Sequence, residues 1–272
     1  MTPHLLALIW LSVTPIAPAS GPALAVEDTM RTELPLVLVS APRVTLDEIL
    51  ERISRGERHR DSLITDESFV ATFRVVRRND RSGQAEVLSE TVAQVYKKRP
   101  DKVRSFVMRR HEASSRDKDK SVEIHFRPDM SEQVVNFAFR PEARRQFKYR
   151  ILGRDLIGDH LIYRIGFEPK SHLDPSLPLG TVWVDTRDYV IVRQEITYSR
   201  SPAPILIKGM DRMVIERERV GEHWVLRRVL IRARTTVPLP HLGREFDVSL
   251  QCDQYRVNQG IDDGLFRTAA AR

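Results

Sequence analysis

The residues Trp183-Val184-Asp185-Thr186-Arg187-Asp188 set two carboxylates three positions apart. A carboxylate pair can divide the work of general acid and general base, provided burial holds one pKa up. The surroundings argue otherwise. Thr181, Trp183 and Asp185 share one face of an alternating run, Val182 and Val184 share the other, and a second such run extends from Tyr189 to Ile196. Acids at the tip between two strands are too wet for a raised pKa. An Asp at the first position of a turn accepts instead from the amide two residues on. The stretch reads as a hairpin with both acids building its turn.

The other residue types able to do chemistry lack the company they need. Ser115-Arg116-Asp117-Lys118 fits the S-x-x-K of serine acyl-enzymes, but it lies in a polar run, HEASSRDKDKS, with no K-T-G or S-D-N to accompany it. His59, His111, His125, His160, His172, His223 and His241 stand singly, with no H-E-x-x-H among them. Cys252 is the only cysteine, so no intramolecular disulfide is available; its strand context reads as a buried structural thiol. There is no glycine-rich phosphate loop and no nucleophile elbow. The expectation is a non-enzyme without metal or cofactor.

The elements around these residues set the class. Leu5 to Val13 is an apolar run, followed by Pro15, Pro18 and Pro22 and by Ala23-Leu24-Ala25. This reads as a signal peptide, residues 1–25, although its first residues, MTPH, contain no Lys or Arg. The run is shorter than the roughly 20 residues that span a bilayer. Residues 26–43 read as a flexible arm, 44–267 as a single domain and 268–272 as a tail, in a periplasmic monomer. The net charge of +7 and pI near 9.7 favour, in an exported protein, an anionic membrane surface or an envelope protein partner over nucleic acid. The basic run Arg140 to Arg150 is either such a patch or a solvated segment.

Thr45-Leu46-Asp47-Glu48 is a capping box, and Leu46, Ile49, Leu50 and Ile53 follow at helical spacing up to Gly56, read as the helix end. Beyond it nearly everything alternates with a period of two, including 122–127 and 135–139, with turns at Ser82-Gly83, Gly158-Asp159 and Gly221. A parallel sheet needs crossover helices, which this sequence lacks, so the strands are antiparallel. Their common apolar face must be covered. The expected class is mainly β (α+β): a curved antiparallel half-open β-barrel of about ten strands. The helix at 45–55, and a second within 128–146, would cover its concave face.

The order Gly180-Thr181-Val182-Trp183-Val184-Asp185, a short turn, then Val190-Ile191-Val192-Arg193-Gln194-Glu195 resembles the central hairpin of the LolA-like periplasmic lipoprotein carriers. Leu152-Gly153, Ile157-Gly158, the strand LIYRIGF and Glu168-Pro169-Lys170 are similar to the preceding strand pair. Asp262-Asp263-Gly264-Leu265-Phe266 resembles the closing segment, so the likeness runs from Thr45 to Phe266. It implies a half-open barrel holding acyl chains under a helical lid, and hence an apolar or lipidated ligand. Burial of about 0.8 kcal/mol per methylene supplies the affinity. Leu46, Ile49, Leu50 and Ile53 are the expected lid face, and Phe126, Phe137 and Phe139 the expected cavity wall. A filled core would use the same residues. The chain is longer and richer in Arg than a compact carrier, which leaves the cargo open.

Overall fold

The structure is a computed structural model and describes residues 44–78, 84–112, 137–158, 160–171, 174, 177–198, 207–239 and 243–267. The expected signal peptide, arm and tail lie outside the described residues. So do the Ser82-Gly83 turn, Ser115 to Lys118 and the 122–127 strand with Phe126.

One long helix, α1 (Leu46–Leu63), precedes three strands: β1 (Asp66–Arg78), β2 (Ala85–Lys98) and β3 (Lys102–Glu112). A 3-10 turn, Phe137–Phe139, and a four-residue helix, α2 (Pro141–Arg144), lead into β4 (Phe147–Ile157) and β5 (His160–Pro169). The remaining strands are β6 (Pro178–Asp185), β7 (Val190–Tyr198), β8 (Ile207–Val220), β9 (His223–Leu239) and β10 (Gly243–Val257), and a 3-10 turn at Asp263–Phe266 follows. All ten strands form one sheet in the order β3-β2-β1-β10-β9-β8-β7-β6-β5-β4. Every pairing is antiparallel. The expected fold class is the one found, with one revision. Residues 137–139 of the expected 135–139 strand form a 3-10 turn instead, where Phe139 packs on Phe167 and its carbonyl accepts from Ser54 of α1, contacts that spacing alone does not show.

The sheet curls. A flat sheet of ten strands would be roughly 43 Å across at about 4.8 Å per gap, and a helix only about 10 Å thick would touch its middle alone. Yet α1 reaches β4, β7 and β9, and Ile53 belongs to one cluster with Phe147 of β4 and Val95 of β2. Among the described residues the sheet is not closed, because β3 and β4, its two ends, do not pair. Alternation assigns the faces. Phe69, Ala71, Phe73 and Val75 of β1 are buried inside, while Arg74 stands outside against Glu90. Outside, Asp247 accepts from both Arg78, at 2.8 Å, and Arg232, at 3.0 Å. Asp247 itself is buried, but both guanidinium groups stand in solvent. Pairs so screened are worth at most about 1 kcal/mol each, so they explain the Arg-rich composition better than the stability.

Helix α1 departs from expectation at both ends. Thr45 Oγ1 accepts from the Glu48 amide at 3.2 Å, but the Glu48 carboxylate takes Arg52 at 2.5 Å instead of closing the capping box. Gly56 does not end the helix. A Cβ there would sit 2.6 Å from the Tyr189 carbonyl oxygen, and closer still to that of Asp188, so this glycine lets α1 rest on the backbone of the β6–β7 turn. The helix ends at Leu63, where Asn258 donates to the Leu63 carbonyl at 2.7 Å and accepts from the Thr65 amide at 2.8 Å.

Candidate functional site

The N-terminal half of α1 meets a filled interior. Ile49 and Ile53 are fully buried and Leu50 nearly so, packed among Val182, Val184, Ile191 and Phe139. Phe139 stacks edge-on against Phe167, with ring centroids 5.5 Å apart. The C-terminal half of α1 differs. From Ser54 to Asp61 it forms one wall of a cleft of about 950 Å³. The second wall comes from the β2–β3 turn, Lys97 to Val103, and the third from Phe139 to Glu142, just before β4. The cleft therefore lies between the C-terminal half of α1, the β2–β3 turn and the segment before β4. Ile64, Val103 and Phe139 contribute its apolar lining and charged residues its rim.

Two sets of bonds hold these walls in place. The first joins α1 to the segment before β4: Ser54 Oγ donates to the Phe139 carbonyl at 2.8 Å, and Arg144 donates to the Leu50 carbonyl at 2.8 Å and to Ser54 Oγ at 2.6 Å. The second pins α1 to the sheet from inside. Glu57 Oε1 accepts from the Ile191 amide at 2.7 Å and from Arg217 at 2.7 Å, and Arg217 also donates to the Ile191 carbonyl at 2.8 Å. Both side chains are buried. Burial alone would raise the Glu57 pKa, but Arg217, Arg60 and the Ile191 amide overcome it and hold the carboxyl below the ordinary range. Burial pulls Arg217 down from its usual value against the attraction of Glu57, but an Arg starts so high that it stays charged.

Around the cleft the carboxylates are mostly engaged. Asp66 accepts from the amides of Gln259, at 3.0 Å, and Gly260, at 3.2 Å, which fastens the loop after β10. Glu67 lies 3.4 Å from Lys97. Asp263 lies 2.8 Å from Lys98 and 3.1 Å from Lys102, and those two hydrogen bonds lower its pKa. Arg58 and Arg140 are exposed on the lining and have no carboxylate partner among the described residues.

Of the residues expected at a binding site, Phe139 alone both belongs to the core and lines the cleft. Ile49, Leu50 and Ile53 lie in the packed interior, Leu46 is half-buried against it, and Phe137 is in the 3-10 turn. Phe126 lies outside the described residues. Asp185 builds the turn as the pattern predicted, its Oδ1 accepting from the Arg187 amide at 2.8 Å. It is buried, however, and not wet as expected, and the Asp188 side chain reaches β9 instead of the turn. The other Asp185 oxygen lies 2.5 Å from His160 Nδ1, and Asp188 accepts from Trp224 Nε1 at 2.9 Å. Cys252 is buried, which pushes its thiol up to about 12. Glu57, Arg217, Ser54 and Arg144 were not anticipated. The one available signal was Arg217 following Met213 and Ile215 on the inward positions of β8, where an Arg needs a buried partner.

No family model and no curated protein matches the chain. Among solved structures it is similar to a DUF1329 family protein from Desulfovibrio piger, at 12% identity and a TM-score of 0.37 over 83% of this chain and 98% of that one. It is also similar to a LolA superfamily protein from Nitrosomonas europaea, at 12% identity and a TM-score of 0.36 over 83% and 99% of the two chains. Neither value is high enough to carry a residue or a ligand from those proteins to this one.

Proposed function

We propose that this protein is a non-enzymatic carrier or sensor of the bacterial periplasm, and that an apolar or lipidated ligand enters it at the cleft between β3 and the segment before β4. The cleft carries the reading, because its volume falls within the roughly 300–1,000 Å³ of small-molecule sites. Its mixed lining selects an amphiphile. The apolar part lies against Ile64, Val103 and Phe139, and the polar part meets Arg58 and Arg140 at the rim. Leu46, Ile49, Leu50 and Ile53 then fix α1 as the fixed wall of the site, and release occurs when a partner offers a better-matched cavity.

A fluorescent fatty acid titrated into the purified protein tests this. Saturable binding is expected, weakened about tenfold by Val103→Glu, which puts a charge on the apolar lining. If the probe does not saturate and solvent extraction of the purified protein yields no lipid, the reading fails. A scaffold acting through its outer surface, which the filled interior under α1 favours, would take its place.

A further inference from the structure

Among the described residues β3 is an edge strand, and it buries neither of its faces. Residues 104–112 are all exposed or half-exposed, and Val103, Phe106, Val107 and Met108 are 42%, 41%, 56% and 63% exposed. Val107 lies opposite the buried Ala93 and so stands on the inward face, while Phe106 lies opposite Gln94 on the outward one. Apolar side chains thus project from both sides of a single edge. Lys102, Arg104, Arg109 and Arg110 are interspersed with them, against one acid on the strand, Glu112. The nearby carboxylates leave cations in excess: Glu90 is shared by Arg74 and Arg109, and Asp263 by Lys98 and Lys102.

This chemistry selects the partner. A second copy laid along β3 would set against each other two strands that each carry four cations, Lys102, Arg104, Arg109 and Arg110, and one acid. A flat protein surface would cover one face and leave the other apolar face wet. A lipid headgroup layer can envelop both faces, and long basic side chains bury their stems while keeping their charges at anionic phosphates. We infer that β3 is the edge by which this protein docks on an anionic lipid bilayer. Lys102 and Val103 also line the cleft, so docking through β3 sets the cleft mouth at the lipid surface. The role of that placement in loading rests on the carrier reading; the docking itself does not.

Flotation with vesicles tests the inference, using phosphatidylglycerol in phosphatidylcholine on one side and phosphatidylcholine alone on the other. Binding to the anionic vesicles, weakening as salt rises, is expected. Arg109→Gln with Arg110→Gln should reduce it about 25-fold, at about fivefold per charge. Val107→Asp with Met108→Asp should reduce it more than about tenfold. Both variants should keep the wild-type melting temperature and bind the soluble fatty-acid probe unchanged. Equal flotation with neutral vesicles, or wild-type flotation of either variant, overturns the inference. So does the absence of flotation, which would assign the strand to a protein partner. Probe binding without flotation sinks the docking alone; flotation without probe binding sinks the carrier reading alone.

Discussion

The two halves of α1 are built differently and used differently. Its first half, through Ile53, lays an apolar stripe on a filled interior. Its second half carries Ser54, Glu57, Arg58, Arg60 and Asp61 along one wall of the cleft. The contrast separates an apolar anchor from a polar one, Ser54 on Phe139 and Glu57 on Arg217, beside which Arg58 stays exposed. Within the second half, Glu57 turns inward to Arg217 while Arg58 faces the cleft. A shift of one residue along a helix thus moves a charge from a structural role to an accessible one.

The largest way to break that contrast is to remove the pin. Arg217→Ala leaves Glu57 buried without its cation and should cost about 3–5 kcal/mol in urea unfolding. A loss under about 1 kcal/mol would mean that the pair does not hold the helix. The pair also predicts acid sensitivity. The Glu57 pKa is lowered on folding, so its contribution is complete above the unfolded value, about 4.3, and disappears as pH falls through the lower folded value. The urea midpoint of the wild type should therefore drop below about pH 4.

Next in size, Ile53→Ala should cost about 3 kcal/mol by opening a cavity in the packed half, with fatty-acid affinity unchanged. Parallel losses of stability and affinity would place the ligand under the helix, and so erase the distinction between the halves. Gly56→Ala tests the contact between helix and turn. Helix propensity favours Ala by about 1 kcal/mol, but the new methyl meets backbone oxygens that cannot swing aside, so a net loss of about 1–2 kcal/mol is expected. A more stable variant would show that α1 does not rest on the β6–β7 turn. The smallest stability effect, within about 0.5 kcal/mol, belongs to Val103→Glu at its exposed site, although its effect on probe binding should be clear.

Much of the fold was legible because it is written in short periods. Leu46, Ile49, Leu50 and Ile53 repeat every three to four residues, and the strands every two. Asp185 announces its turn from two residues away. The misreadings have the same origin. Gly56 looks like a helix stop by local rules, but its reason for being glycine is a turn more than 130 residues later in the chain. Phe137 and Phe139 look like a strand when judged by spacing alone. Glu57 and Arg217 lie 160 positions apart, so no window joins them.

The sequence by itself determined the faces of the elements. Alternation without crossover helices requires an antiparallel sheet, and an apolar stripe on one capped helix requires that helix to cover it. Only the tertiary structure decided where the cover stops. How far the sheet curls, which ends face each other and which buried charges pair are set by contacts between residues far apart in the chain. The cleft is the space those contacts leave unfilled.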